Sequence, residues 1–176
     1  GRAMHLVTTN ESKVLVDCGA KPTNNRSEVQ PFFAAPEMLP LDNIDAVVIT
    51  HAHVDHIGML PVLFKYGYKG PVYCTPPTRD LMTLLQMDYI KVAKAEGNEP
   101  PYSKGDIQEC IKHVVDINWG DKTDIAPDVK MTMENAGHIL GSSSVYMQIG
   151  EGRDEHRLLF SGDIKYEKSW LFDAAT

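Results

Sequence analysis

The chain has 176 residues, enough for one well-buried domain or a part of a larger one, and short for two complete domains. Apolar residues make up 43% and charged residues 23%, which excludes the low-hydrophobicity composition of a disordered chain. The net charge of -7 leaves no broad basic field of the kind that drives nonspecific binding to phosphate backbones, although it allows a local patch.

Met4 to Thr9 and Lys13 to Asp17 read as two strands of a hairpin joined by about four polar residues, with Gly19 ending the second strand. Residues 20 to 41 contain Pro22, Asn24, Asn25, Pro31, Pro36 and Pro40 with little periodicity. They predict an excursion from a sheet, with a short helical turn near Pro36–Leu39. Ile44 to Thr50 carries the continuous run Ala46-Val47-Val48-Ile49, the pattern of a strand buried on both faces.

Ile57 to Tyr66 suits a helix broken or started at Pro61 and closed by Gly67. Val72–Cys74 is a short strand. Pro76 to Glu96 is a long amphipathic helix stopped by Gly97, with Leu81, Leu84, Leu85, Met87, Tyr89, Val92 and Ala93 as its apolar positions. Ser103 and Asp106 form an N-terminal capping pair for a helix from Lys104 to His113. Val114-Val115 and Asp121 to Ile125 are short strands around a turn at Asn118-Trp119-Gly120. Val129–Met133, Ser144–Ile149 and Arg157–Ser161 are three further strands, the last two joined by a hairpin loop at residues 150–155.

Chemistry concentrates in His51-Ala52-His53-Val54-Asp55-His56, directly after the buried strand. Three imidazoles and a carboxylate within six residues match the ligand preferences of zinc, and His51 and His53 can converge on one ion while Asp55 and His56 point to a second. The alternative is a polar loop whose histidines satisfy one another. It is disfavoured because each buried imidazole needs its own partners. Gly137-His138 and Ser161-Gly162-Asp163 each place one further donor in a glycine-containing turn after a strand. His138 or Asp163 alone reads as an ordinary turn residue; beside the His51 cluster both become ligand candidates. Asp17 ends an early strand and reads equally as a plain strand-end residue.

His5, His113 and His156 lack neighbours at ligand spacing. Lys65, Lys69, Arg79, Lys91 and Lys94 form a basic stripe that reads first as a solvated face and second as an RNA contact. Cys18, Cys74 and Cys110 are odd in number and widely spaced, as expected of reduced thiols in an intracellular protein. No run of about 18 apolar residues is present, so a cytoplasmic chain without a membrane partner is expected.

The His51–His56 run resembles the signature of the metallo-β-lactamase superfamily, Gly137-His138 its third motif and Ser161-Gly162-Asp163 its fourth. Residues 49–58, 65–73, 85–93, 137–142 and 161–167 are similar to the β-CASP branch, in particular archaeal relatives of the cleavage and polyadenylation specificity factor endonuclease. The resemblance implies an α/β fold, the first lobe of an αβ/βα sandwich, truncated before a β-CASP domain. On that reading residues 1–176 form a partial metallo-β-lactamase domain, with no β-CASP or KH domain present.

It further implies that His51, His53 and His138 hold one zinc, that Asp55 and His56 hold a second, and that Asp163 bridges the two. Asp55, His56 and Asp163 are then the catalytic groups, and Asp17 supports the ligands from behind. Two ions belong to the complete site, and one or none to this span alone. The implied activity is zinc-dependent RNA phosphodiester hydrolysis of the mRNA 3'-end-processing type, with RNA as partner and activity uncertain for these residues alone. Two alternatives stay open: a thioesterase or lactonase of the same fold, and a non-catalytic subunit that self-associates or joins a complementary chain.

Overall fold

A computed structural model describes residues 2–21 and 36–176. Most of the predicted excursion, residues 22–35, lies outside the described residues. The predicted turn near Pro36 is a single 3-10 turn, Pro36–Met38, followed by another at Leu41–Asn43.

The first sheet has five strands in the order β1 (His5–Thr8), β2 (Lys13–Val16), β3 (Ala46–Val48), β4 (Val72–Cys74) and β5 (Val114–Asp116). β1 pairs antiparallel with β2 as the expected hairpin, and β2 to β5 run parallel. Parallel neighbours need long crossovers, and the chain supplies them as α1 (Val54–Ile57), α2 (Leu60–Lys65), α3 (Pro76–Ala95) and α4 (Lys104–Lys112). The second sheet is an antiparallel meander, β6 (Lys122–Ala126), β7 (Val129–Asn135), β8 (Ser143–Ile149) and β9 (His156–Phe160).

Alternation along the parallel strands sends side chains into two cores. Leu15, Val47, Ile49, Val72 and Cys74 pack with Leu60, Leu63, Met82 and Ile107 on the helical side. Val14, Val16, Ala46 and Val48 pack with Met131, Met133, Val145 and Met147 of the second sheet. The continuous apolar run at β3 therefore reflects burial on both faces. The layers are helices, mixed sheet and antiparallel sheet, an α/β arrangement that matches the expected first lobe of the sandwich.

Three sequence expectations shift in detail. The helix expected at Ile57–Tyr66 is two short helices, and the first begins at Val54, so Asp55 and His56 lie on a helical turn rather than in a loop. In α3 the buried stripe is Thr78, Met82, Gln86 and Ile90, whereas Leu84 and Val92 are exposed. Inside, Gln86 Nε2 donates to the Ile57 carbonyl at 3.2 Å, while its Oε1 has no hydrogen-bond partner among the described residues. The strands flanking Asn118-Trp119-Gly120 do not pair with each other; β5 belongs to the first sheet and β6 to the second. The capping pair is present in full, with Ser103 accepting from the Asp106 amide and Asp106 accepting from the Ser103 amide.

Parallel pairing places the carboxyl ends of β2, β3 and β4 on one edge. Asp17, His51 and Thr75 follow those three ends directly or within a few residues. β7 and β9 deliver His138 and Asp163 to the same region from the second sheet.

Candidate metal centre

His51 is fully buried at the end of β3, and His53, two residues on, caps the start of α1 in extended conformation. This one-turn helix is held from behind by the chain leaving β2 and by the segment that precedes β1. The Cys18 amide donates to His56 O at 2.7 Å, Ala20 to Val54 O at 3.0 Å, and Ala3 to Asp55 O at 2.8 Å. Gly19 sits at the closest approach, where an added Cβ would lie 1.6 Å from Asp55 O. Only a residue without a side chain lets the two segments pack this way.

Four donors meet. His51 Nε2 and His138 Nε2 each lie 3.1 Å from His53 Nδ1, and Asp163 Oδ2 is 3.8 Å from His51 Nε2 and 3.5 Å from His138 Nε2. One ligand atom from each of the four residues falls within 4.8 Å of all the others. A tetrahedral zinc with bonds near 2.0–2.1 Å separates its ligands by about 3.3 Å, so the set has the right size and the right N/O chemistry. A ring nitrogen carries one hydrogen or one lone pair, so His53 Nδ1 cannot make a full hydrogen bond to both His51 Nε2 and His138 Nε2 at once.

A second group is looser. His56 Nε2 lies 3.5 Å from Asp163 Oδ1 and 3.9 Å from Asp55 Oδ2. Asp163 therefore turns one carboxylate oxygen toward His51 and His138 and the other toward His56. A bridging ligand requires that disposition.

Asp17 orients both groups. Its Oδ2 accepts from His56 Nδ1 at 2.8 Å, and its Oδ1 accepts from the Thr50 amide at 2.8 Å. The Thr50 hydroxyl lies 2.9 Å from Asp17 Oδ2 and 3.0 Å from His51 Nδ1. If that hydroxyl donates to the carboxylate, it accepts from His51 Nδ1–H, which leaves the His51 Nε2 lone pair aimed at the four-donor cluster. The same logic frees Nε2 of His56. Asp17 holds a positive φ of 60°, unusual for a non-glycine residue, so its backbone is bent to present the carboxylate.

The electrostatics follow from burial and neighbours. Burial and the surrounding imidazoles of His56, His53 and His138 push His51 down to about 2, so it is neutral at any ordinary pH. Burial also pushes His56 down, but the hydrogen bond and charge of Asp17, with Asp55 and Asp163, win and raise it. His138 is lowered by burial and by His53, against the pull of Asp163.

The turn carrying His138 is fixed by the start of α3. Thr75 and Thr78 donate their hydroxyls to Gly141 O at 2.7 and 3.0 Å. Gly141 has φ +78°, and a Cβ there would meet Thr75, Pro77 and Thr78 within 3.0 Å. Ser142 Oγ accepts from the amides of His138 and Ile139 at 3.1 Å each. Sequence reading missed Thr50, Thr75 and Thr78; the position of Thr50 between a buried strand and His51 was the one available signal.

His5, His113 and His156 stay outside the cluster, as their spacing indicates. His5 packs at 5.6 Å from Phe160, and His113 lies 3.5 Å from Glu109. The basic stripe is partly engaged elsewhere: Lys65 donates to Pro101 O and Arg79 pairs with Asp80 and Asp116. A cavity of about 600 Å³ opens beside His56, lined by Arg2, Asp17, Asp55, Phe160 and Asp163 among others. All three cysteines are free and buried. Among the described residues no helix is long and apolar enough to cross a membrane.

Residues 2–175 match the family described as Metallo-beta-lactamase superfamily. The chain is 53% identical over 175 residues to a protein named transcription termination factor FttA from Methanosarcina mazei, covering 99% of this chain and 27% of that protein. Proteins of the same name from Methanocaldococcus jannaschii and Lokiarchaeum sp. are 50% and 44% identical, again with 27% of their length covered. The chain thus spans about a quarter of the curated relatives it matches. Among solved structures, the subclass B3 metallo-beta-lactamase MEM-A1 from a soil metagenome library aligns with TM-score 0.61 at 16% identity, over 98% of this chain and 64% of that one. The Rm3 metallo-beta-lactamase aligns with TM-score 0.58 at 21% identity, over 93% and 56%. At such identities these two show the fold alone.

Proposed function

The chain belongs to the metallo-β-lactamase superfamily, and from that premise we propose that it carries the metal-binding part of a zinc-dependent ribonuclease of the β-CASP type. The observation that carries the reading is the convergence of His51 Nε2, His53 Nδ1, His138 Nε2 and an Asp163 oxygen within 4.8 Å. Similarity of 44–53% to proteins named transcription termination factors supports RNA, rather than a small acyl compound, as the substrate. The quarter-length coverage supports reading residues 1–176 as a partial metallo-β-lactamase domain of a larger protein.

His51, His53, His138 and Asp163 would hold one zinc, and Asp55, His56 and the second Asp163 oxygen would hold another. Zinc held there supplies Lewis acidity at a phosphoryl oxygen and a nucleophile drawn from water at neutral pH. The chain's own residues prepare the site. Asp17 fixes the His56 ring through Nδ1, and Thr50 relays the same carboxylate to His51. The exposed side of Asp163 and the cavity beside Asp55 leave a route for a phosphodiester to reach the ligands. β9 bears the open side chains Leu158 and Leu159, which supports a covering segment, from a second copy or a complementary chain.

The test is hydrolysis of single-stranded RNA by the zinc-loaded chain, alone and with a complementary polypeptide, beside small thioesters and lactones. Zinc-dependent RNA cleavage abolished by His53→Ala and by Asp163→Asn is the expected result. Turnover confined to thioesters or lactones contradicts it.

A further inference from the structure

Trp119 stands at the turn after β5, on the same carboxyl-side edge that carries His51. β3 and β5 are two strands apart, so at the usual interstrand spacing the two strand ends lie about 10 Å from one another. The turn is anchored on both sides, by Ile117 N to Cys74 O at 2.9 Å and by Gly120 N to Met133 O at 2.8 Å. The indole itself is anchored as well, with Nε1 donating to Ser143 Oγ at 2.9 Å. Ser143 Oγ in turn donates to Gly141 O, the carbonyl that Thr75 and Thr78 hold in the His138 turn. Trp119 is thus linked through one hydroxyl to the turn that presents a metal ligand.

Despite that anchoring, 45% of Trp119 remains open, and Leu140, two residues past His138, is 52% exposed. A mobile surface indole would lose freedom on stacking with a ligand; one already held by its N–H loses much less. The net charge of -7 matters here too. A strand that gains little from phosphate neutralisation needs another source of affinity, and aromatic faces supply it to any base regardless of sequence.

We propose that Trp119 is a base-stacking platform for single-stranded RNA, placed beside the metal ligands so that a stacked nucleobase sets the approach of the backbone to His138 and Asp163. This rests on the ribonuclease reading above. The sequence contains two tryptophans, so Trp170→Phe leaves Trp119 as the sole indole emitter. Its fluorescence is read immediately on mixing the zinc-loaded protein with oligoadenylate, and with an abasic ribose-phosphate strand of equal length. Quenching by oligoadenylate and not by the abasic strand is expected, and Trp119→Ala should weaken oligoadenylate binding, by anisotropy, on the order of tenfold. Trp119→Phe should retain most of the affinity. Should the alanine variant prove unfolded by circular dichroism, Trp119→Leu keeps apolar bulk without a ring and should show the same loss. If the unaltered chain binds oligoadenylate and the ringless variants bind it equally well, or if both strands quench alike, the platform is refuted while the ribonuclease reading stands. If the unaltered chain binds neither strand, the platform is refuted, and the ribonuclease reading is decided separately by the hydrolysis test with the complementary polypeptide.

Discussion

Asp17 accepts a hydrogen bond from His56 Nδ1 at 2.8 Å across a sequence separation of 39 residues, joining the end of β2 to the first turn of α1. The bond fixes which His56 nitrogen faces the ligand cluster. Asp17→Asn would keep the shape and remove the negative acceptor, allowing the ring to change tautomer or orientation. Zinc affinity at the looser group should fall about 10- to 100-fold, with the melting temperature lowered far less. Competition with a chromophoric chelator reads the affinity; unchanged binding would remove Asp17 from the site.

Metal-free stability should peak near pH 6.5. His51 and His138 are depressed in the folded chain, so between their folded values and 6.5 the unfolded state binds more protons and stability rises with pH. His56 is raised, so its contribution is full below 6.5 and is lost as pH climbs through its folded value. Thermal melts of chelator-treated protein from pH 5 to 9 check this. His56→Gln should remove the decline just above pH 6.5 and leave the acid side in place, while the decline near pH 9 persists, because burial raises the thiols of Cys18, Cys74 and Cys110 above their unfolded value.

Gly19→Ala tests the contact between the β2 exit and α1. The new Cβ would fall 1.6 Å from a backbone oxygen of Asp55, and backbone cannot swing away as a long side chain can. A loss of about 3 kcal/mol in urea unfolding is expected, together with weaker metal binding. Gly97→Ala, with φ +72° and open space around it, should cost about 1 kcal/mol and leave metal binding alone.

Thr75→Val and Thr78→Val remove the two hydroxyls on Gly141 O. Each single change should cost little, since the other hydroxyl still satisfies the carbonyl. The double change leaves a buried acceptor with only the longer 3.3 Å bond from Ser143, for about 1–3 kcal/mol. Urea unfolding of the three variants reads the non-additivity.

Much of the ligand set is legible in sequence because it is dense and local. His51, His53, Asp55 and His56 fall within six residues after a β-branched strand, and no ordinary loop needs so many imidazoles. His138 and Asp163 are legible only by association, as single donors in glycine turns. What sequence hides is what the fold joins at long range: Thr50 between Asp17 and His51, the α3 threonines on Gly141, and Trp119 on Ser143. In α3, Leu81, Leu85, Met87 and Tyr89 pack against the core as their spacing indicates, but the fully buried row also holds Thr78 and Gln86, which look polar in isolation and are each buried with a backbone carbonyl as partner. The swap of β5 and β6 into different sheets leaves no local trace, since both are short and flank an ordinary turn.

Cobalt(II) titration followed by visible absorption is the most direct measurement of whether His51, His53, His138 and Asp163 form one ligand sphere. Saturable uptake is expected, with the intense bands of a tetrahedral site, abolished in His53→Ala and His138→Ala and retained in His5→Ala. Weak octahedral absorption that is the same in all four proteins would contradict the metal centre and the function built on it.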